Sequence, residues 1–143
     1  MLRTFISLFS LLAILAVLPS FSGYSGAAFA QKAKDASCCV DNCKDCAKRC
    51  EEALAYSLKK GGAHAKAAHI NALKDCIALC KACTDFDKRN SPLAAKLHAL
   101  CAEACKTCAE SCKSLKDKNL KDCVEQCNSC ETSCSKAANK GSK

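Results

Sequence analysis

The chain has no tryptophan, two prolines and a single methionine, Met1. Downstream of residue 30 and short of the C-terminal tail, the only helix breakers are Gly61, Gly62 and Pro92. That scarcity excludes a turn-rich fold and leaves long stretches of alanine, lysine, leucine and glutamate, residues that favour helix. Aromatics make up 5% of the chain and do not interleave with the basic residues. The net charge of +8 therefore reads as a solvated helix surface and not as a nucleic-acid face. No Ser-His-Asp arrangement, paired carboxylates or glycine-rich phosphate loop stands out, and no single cysteine is set beside a base, so an enzyme is not expected.

What the chain does have is cysteine, 16 of them. Fifteen fall into four stretches: Cys39-Cys43-Cys46-Cys50, Cys76-Cys80-Cys83, Cys101-Cys105-Cys108-Cys112 and Cys123-Cys127-Cys130-Cys134. The steps of four, three and four keep every sulfur within an arc of roughly 60° on an α-helix. Four helices lined on one face with thiols imply a sulfur-walled core, a container for soft metal ions.

The first thirty residues read as a secretory signal peptide. Arg3 forms a basic start, Phe5 to Leu18 is apolar and short of the ~20 residues a membrane span needs, and Ala28-Phe29-Ala30 is an A-x-A cleavage site. With one arginine before the apolar run, a twin-arginine signal is absent and general export as an unfolded chain is expected. Residues 31–143 then form one domain. Helices are expected over Cys38–Lys60, Ala63–Phe86, from the Ser91-Pro92 start to Lys116, and over Leu120–Ala138, with Gly61-Gly62, Asp87–Asn90 and Asp117–Asn119 as turns. Short connections make this an all-α, antiparallel up-down-up-down four-helix bundle with a cysteine-lined core. The stretches are repeats of one another, except that the second has Asp87 where its fourth cysteine would fall; Asp87 reads as a helix terminator.

Several chemistries compete for so many thiols. A disulfide-stapled helical scaffold is the ordinary reading of a small cysteine-rich exported chain. Yet residues three or four apart on a helix have Cβ atoms about 5–6 Å apart, and a disulfide wants about 3.8 Å. Two metal–sulfur bonds of about 2.3 Å each close that gap. Thiolates select Cu(I), zinc or iron–sulfur clusters. Cu(I) accepts two or three sulfurs, so a continuous column of thiols can be filled many times over. A zinc or metallothionein-like buffer would need four ligands gathered at each point. Cys76, Cys80 and Cys83 alone match the spacing of a radical-type iron–sulfur motif, but the spacing recurs in all four stretches. Cysteine as mere core filling would be a poor choice, because leucine buries more apolar area. Leu54, Leu58, Ile70, Leu73, Ile77, Leu97, Leu100, Leu115 and Val124 are the apolar candidates for the core.

The repeated C-x3-C-x2-C-x3-C stripe on antiparallel helices resembles the bacterial copper storage proteins, four-helix bundles that hold many Cu(I) ions on core cysteines. The likeness covers nearly all of Cys38 to Cys134. It implies storage or sequestration of multiple Cu(I) ions in place of catalysis, and a homo-oligomer, tetrameric in the family. By matching position it makes Cys39, Cys43, Cys46, Cys50, Cys76, Cys80, Cys83, Cys101, Cys105, Cys108, Cys112, Cys123, Cys127, Cys130 and Cys134 the ligands. Two features depart from the family: exported relatives tend to carry twin-arginine signals, and the family uses methionine near the bundle mouth, where this chain has none.

Three further residues are ligand candidates. Cys38 sits about 100° from Cys39 around the helix. His69 continues the second stripe inward, and His98 lies at the edge of the third; neutral imidazole binds copper. These two histidines are the candidates to admit or release the metal. His64 points off the stripe and reads as solvated. The expectation is thus an exported, periplasmic or secreted Cu(I) store that meets copper donor or acceptor proteins, binds no nucleic acid and has no stable membrane insertion once its signal is removed.

Overall fold

The computed structural model describes residues 26–141, and the side chains of residues 39–140. The apolar run of the expected signal peptide lies outside the described residues. Four helices follow one another: α1 (Gly26–Lys60), α2 (Ala67–Lys88), α3 (Ala94–Ser114) and α4 (Lys121–Gly141). Short 3-10 turns at Gly62–Ala65 and Lys118–Leu120 precede α2 and α4. Each helix packs against the next in chain order and α4 returns against α1, so the bundle is the up-down-up-down square expected. Among the described residues no helix is long and apolar enough to cross a membrane.

The first helix starts at Gly26, well before the expected Cys38. Ala27, Ala28, Ala30, Ala33 and Ala36 explain this, since alanine carries the lowest helix cost and no breaker intervenes. The stop at Lys60 is enforced by Gly61 and Gly62, with φ of 73° and 56°. Left-handed backbone at two successive positions suits glycine, and the Gly61 amide closes α1 on the Ser57 carbonyl at 3.1 Å. At the next junction Asn90 takes φ 50°, a conformation asparagine tolerates. The expected N-cap at Ser91 is displaced by a turn. Its Oγ accepts from the Leu93 amide at 3.3 Å, and α3 begins only at Ala94. Asp117 accepts from the Asn119 amide at 3.0 Å and so caps the turn that leads into α4. Asp87, expected in a turn, lies in the last turn of α2.

The core is sulfur and small side chains. All fifteen described cysteines are buried, at 0–3% exposure, with Ala47, Ala53, Ala102 and Ala109 packed among them. Leu73 and Leu120 are the two largest fully buried residues. Of the apolar core candidates, Ile70 is also buried, and Leu54, Ile77, Leu97, Leu115 and Val124 pack against the core from its margin. Leu58 and Leu100 do not belong: they are 56% and 53% exposed. Leu58 follows the buried Ser57 and Leu100 precedes Cys101, and one residue is a 100° rotation away from the inner face.

Candidate metal centre

Each helix delivers its sulfurs inward because the four-three-four spacing holds one face. The four faces meet in a stack. Where Cys39 in α1 faces the C-terminal half of α4, the Cys39 and Cys134 Sγ atoms are 3.3 Å apart, and Cys43 lies 3.5 Å from Cys134 and 3.7 Å from Cys130. In the middle, Cys46 is 3.7 Å from both Cys76 and Cys127 and 3.9 Å from Cys105. Cys80 reaches Cys101 at 3.6 Å and Cys130 at 3.9 Å. Further along, Cys50 is 3.5 Å from Cys127 and 3.8 Å from Cys108, and Cys112 meets Cys123 at 3.7 Å. All fifteen are free thiols. Even 3.3 Å is well beyond a bonded S–S distance of about 2.05 Å. Two sulfurs on one metal, with bonds of about 2.3 Å, stand about 3.8–4.0 Å apart at tetrahedral or trigonal angles. The cross-helix separations lie close to that span.

Four groups of four sulfurs each fit within 4.8 Å: Cys43-Cys101-Cys130-Cys134, Cys46-Cys80-Cys105-Cys130, Cys46-Cys50-Cys76-Cys127 and Cys50-Cys108-Cys123-Cys127. Cys46, Cys50, Cys127 and Cys130 each belong to two groups. The groups therefore form one connected chain of sulfurs along the bundle axis. Filling neighbouring groups together requires the shared sulfurs to bridge two ions as thiolates.

Proton affinities follow from crowding. The Cys39 thiol is pushed up by its contact with Cys134 and by burial. Cys80 is pushed up by Cys101, Cys105 and Cys130 and by burial, and Cys112 by Cys108, Cys123 and burial. Cys46, Cys76, Cys101 and Cys123 shift the opposite way, lowered by hydrogen bonds from neighbouring sulfurs, so the crowded network favours some thiolates while their neighbours keep their protons.

The ends of the stack differ. At one, Cys39, Asp87 and His98 bring a sulfur, a carboxylate oxygen and a ring nitrogen within 4.8 Å of one another. His98 Nε2 lies 2.9 Å from Asp87 Oδ2, and its buried Nδ1 has no hydrogen-bond partner. Asp87 is thus more than a terminator: its carboxylate holds His98. At the other end His69, 4% exposed, has both ring nitrogens occupied, Nε2 by Ser57 Oγ at 3.1 Å and Nδ1 by Ser111 Oγ at 2.8 Å. Burial and the nearby His64 lower its pKa, which favours neutral imidazole. His69 groups with no sulfur there. His64, expected to be solvated, is 8% exposed, and its Nε2 lies 2.9 Å from Asp117 Oδ2. Lys60 and Tyr56 donate to the same carboxylate, which holds Asp117 below the usual carboxylate range, Lys60 contributing most.

The side chain of Cys38 lies outside the described residues. Sequence reasoning missed Ser57, Thr84 and Leu120, all buried on the inner faces. Their positions carried a signal: Ser57 is seven residues after Cys50, Thr84 four after Cys80 and Leu120 three before Cys123.

Comparisons with known proteins come down on the same chemistry. Residues 32–139 match the family described as Csp, copper storage protein. The crystal structure of the Nmul_A1745 protein from Nitrosospira multiformis superposes with a TM-score of 0.71 at 29% identity, covering 76% of this chain and 98% of that one. The Cu(I)-bound copper storage protein BsCsp3 superposes with a TM-score of 0.69 at 24% identity, covering 73% of this chain and 98% of that one, a likeness of fold. No curated protein matches the chain.

Proposed function

The chain belongs to the copper storage protein family, and we propose on that premise that it holds multiple Cu(I) ions on fifteen core cysteine thiolates. The observation that carries the reading is the connected run of four-sulfur groups that share Cys46, Cys50, Cys127 and Cys130. Thiolate is the ligand type Cu(I) prefers, and a run of shared sulfurs accepts ions stepwise. Cys39, Cys83 and Cys112 stand outside the four groups and complete the stripes on their own helices. Each ion that enters displaces thiol protons, so loading weakens as pH falls. The role is storage or sequestration and not catalysis.

The same four-sulfur groups meet the coordination number of zinc. Zinc buffering is the second reading, and the match to the copper storage family weighs against it. Anaerobic titration of the reduced chain with Cu(I) against a competing chelator separates the two. We expect many equivalents of Cu(I) before saturation, and saturation at one or two would refute storage.

Export to a periplasmic or secreted location rests on Arg3, the apolar run Phe5–Leu18 and the Ala28-Phe29-Ala30 site. Mass spectrometry of the exported protein, with Gln31 as the new N-terminus, tests it. Assembly into a homo-tetramer and exchange of copper with donor or acceptor proteins rest on the family resemblance, and light scattering of the purified chain tests the first.

A further inference from the structure

The four sulfur groups account for the soft chemistry of the core but not for the end of the stack at Cys39. Among the described residues that end alone joins three donor types, Cys39 sulfur, Asp87 oxygen and His98 nitrogen. A carboxylate is a poor partner for Cu(I), whereas nitrogen and oxygen donors suit Cu(II). Asp87 and His98 are well shielded, with side chains 10% and 5% exposed. His98 Nε2 and Asp87 Oδ2 face each other at 2.9 Å, so one ion can take the place of the proton between them, the ring proton then residing on Nδ1. Directly beside it lies the Cys39–Cys134 pair, at 3.3 Å closer than the 3.5–4.0 Å of the other sulfur contacts described above.

We propose that Cys39, Asp87 and His98 capture Cu(II) at this end of the bundle, and that the Cys39–Cys134 thiol pair reduces it to the Cu(I) that the core stores. The proposal rests on the copper-storage reading. Two Cu(II) ions each take one electron, one from the Cys39 sulfur and one from the Cys134 sulfur. The S–S bond forms between those two atoms, both thiol protons pass to solvent, and two Cu(I) ions result. Cys43 receives them, its Sγ 4.0 Å from Cys39 and 3.5 Å from Cys134. Each chain performs the step once, until an external thiol reductant reopens the disulfide by exchange.

The test adds two equivalents of Cu(II) chloride to the reduced full chain under anaerobic conditions. Cu(II) is followed by its electron paramagnetic resonance signal and Cu(I) with a cuprous-specific chelator. Free thiols are then alkylated and the disulfide is mapped by mass spectrometry. We expect one disulfide, Cys39–Cys134, in step with loss of Cu(II). Asp87→Asn and His98→Ala should slow that loss about tenfold or more relative to the unaltered chain. Disulfides mapped to deeper cysteines, a Cu(II) signal that does not decay, or decay at the wild-type rate in both variants would each overturn the proposal. Should His98→Ala fail to fold, Asp87→Asn and the disulfide map decide. Failure of the storage reading is seen separately, as wild-type protein that takes up no Cu(I) supplied directly.

Discussion

His98 and His69 sit at opposite ends of the same bundle, each 4% exposed and each on the inner side of its helix. His69 is fully occupied by the Ser57 and Ser111 hydroxyls, in an end closed by Leu73 and Leu120 and overlain by Tyr56, Lys60, His64 and Asp117. His98 keeps one ring nitrogen unsatisfied and lies beside a carboxylate and a thiol. Burial alone therefore does not separate a histidine whose ring is fully hydrogen-bonded from one with a nitrogen to spare. What separates them is whether the neighbours already use up its hydrogen-bonding capacity, because a buried polar atom left without a partner is costly unless something else comes to it.

Filling the stack should have the largest effect. A ligand that binds only the folded chain at about a thousand times its dissociation constant stabilises by about 4 kcal/mol per site. Thermal melts followed by circular dichroism should therefore show the Cu(I)-loaded chain far more stable than the apo chain; equal melting temperatures would mean that the sulfur stack is not where copper binds. Next in size is the closed end. Leu73→Ala should cost about 2–5 kcal/mol in a denaturant melt. The copper capacity of the folded variant should be unaltered, since Leu73 groups with no sulfur site. A lost equivalent of copper in that variant would break the distinction between the ends.

A smaller effect sharpens the histidine contrast. Ser57→Ala leaves His69 Nε2 without its partner and should cost about 1–3 kcal/mol. The pH dependence has a defined sign. The folded pKa of His69 lies below its ordinary value. Its contribution is therefore complete above about pH 6.5 and is lost as pH falls through the folded pKa. Apo-protein stability should drop across that window, and His69→Gln should flatten the drop. Smallest is Asp117→Asn on the outer surface of the closed end. The Asp117 pKa is depressed by Lys60 first, then by the Asn119 amide and Tyr56. Its stabilisation is present above about pH 4 and lost as pH falls through the lower folded value. The variant should melt slightly below wild type at pH 7, and the gap should close in acid.

Much of this was legible in the chain. Gly61-Gly62 and Pro92 marked two junctions, and the cysteine spacing named the inner face of every helix. The same periodicity, carried beyond the cysteines, would have reached Ser57, Thr84 and Leu120. Leu58 and Leu100 were misplaced because hydrophobicity outweighed phase, although each lies one residue off its stripe. The early start of α1 was hidden because alanine-rich sequence carries no boundary of its own.

By itself the sequence determined which side chains share a helix face, because 100° per residue is a local property of the backbone. Only the tertiary structure decided which faces meet at which height. That Cys39 lies against Cys134, that Cys46 stands among Cys76, Cys105 and Cys127, and that Asp87 holds His98 while Ser57 and Ser111 hold His69 all depend on the axial register of neighbouring helices. That register is set by the turns and by side-chain packing between residues far apart in the chain, and no local periodicity encodes it.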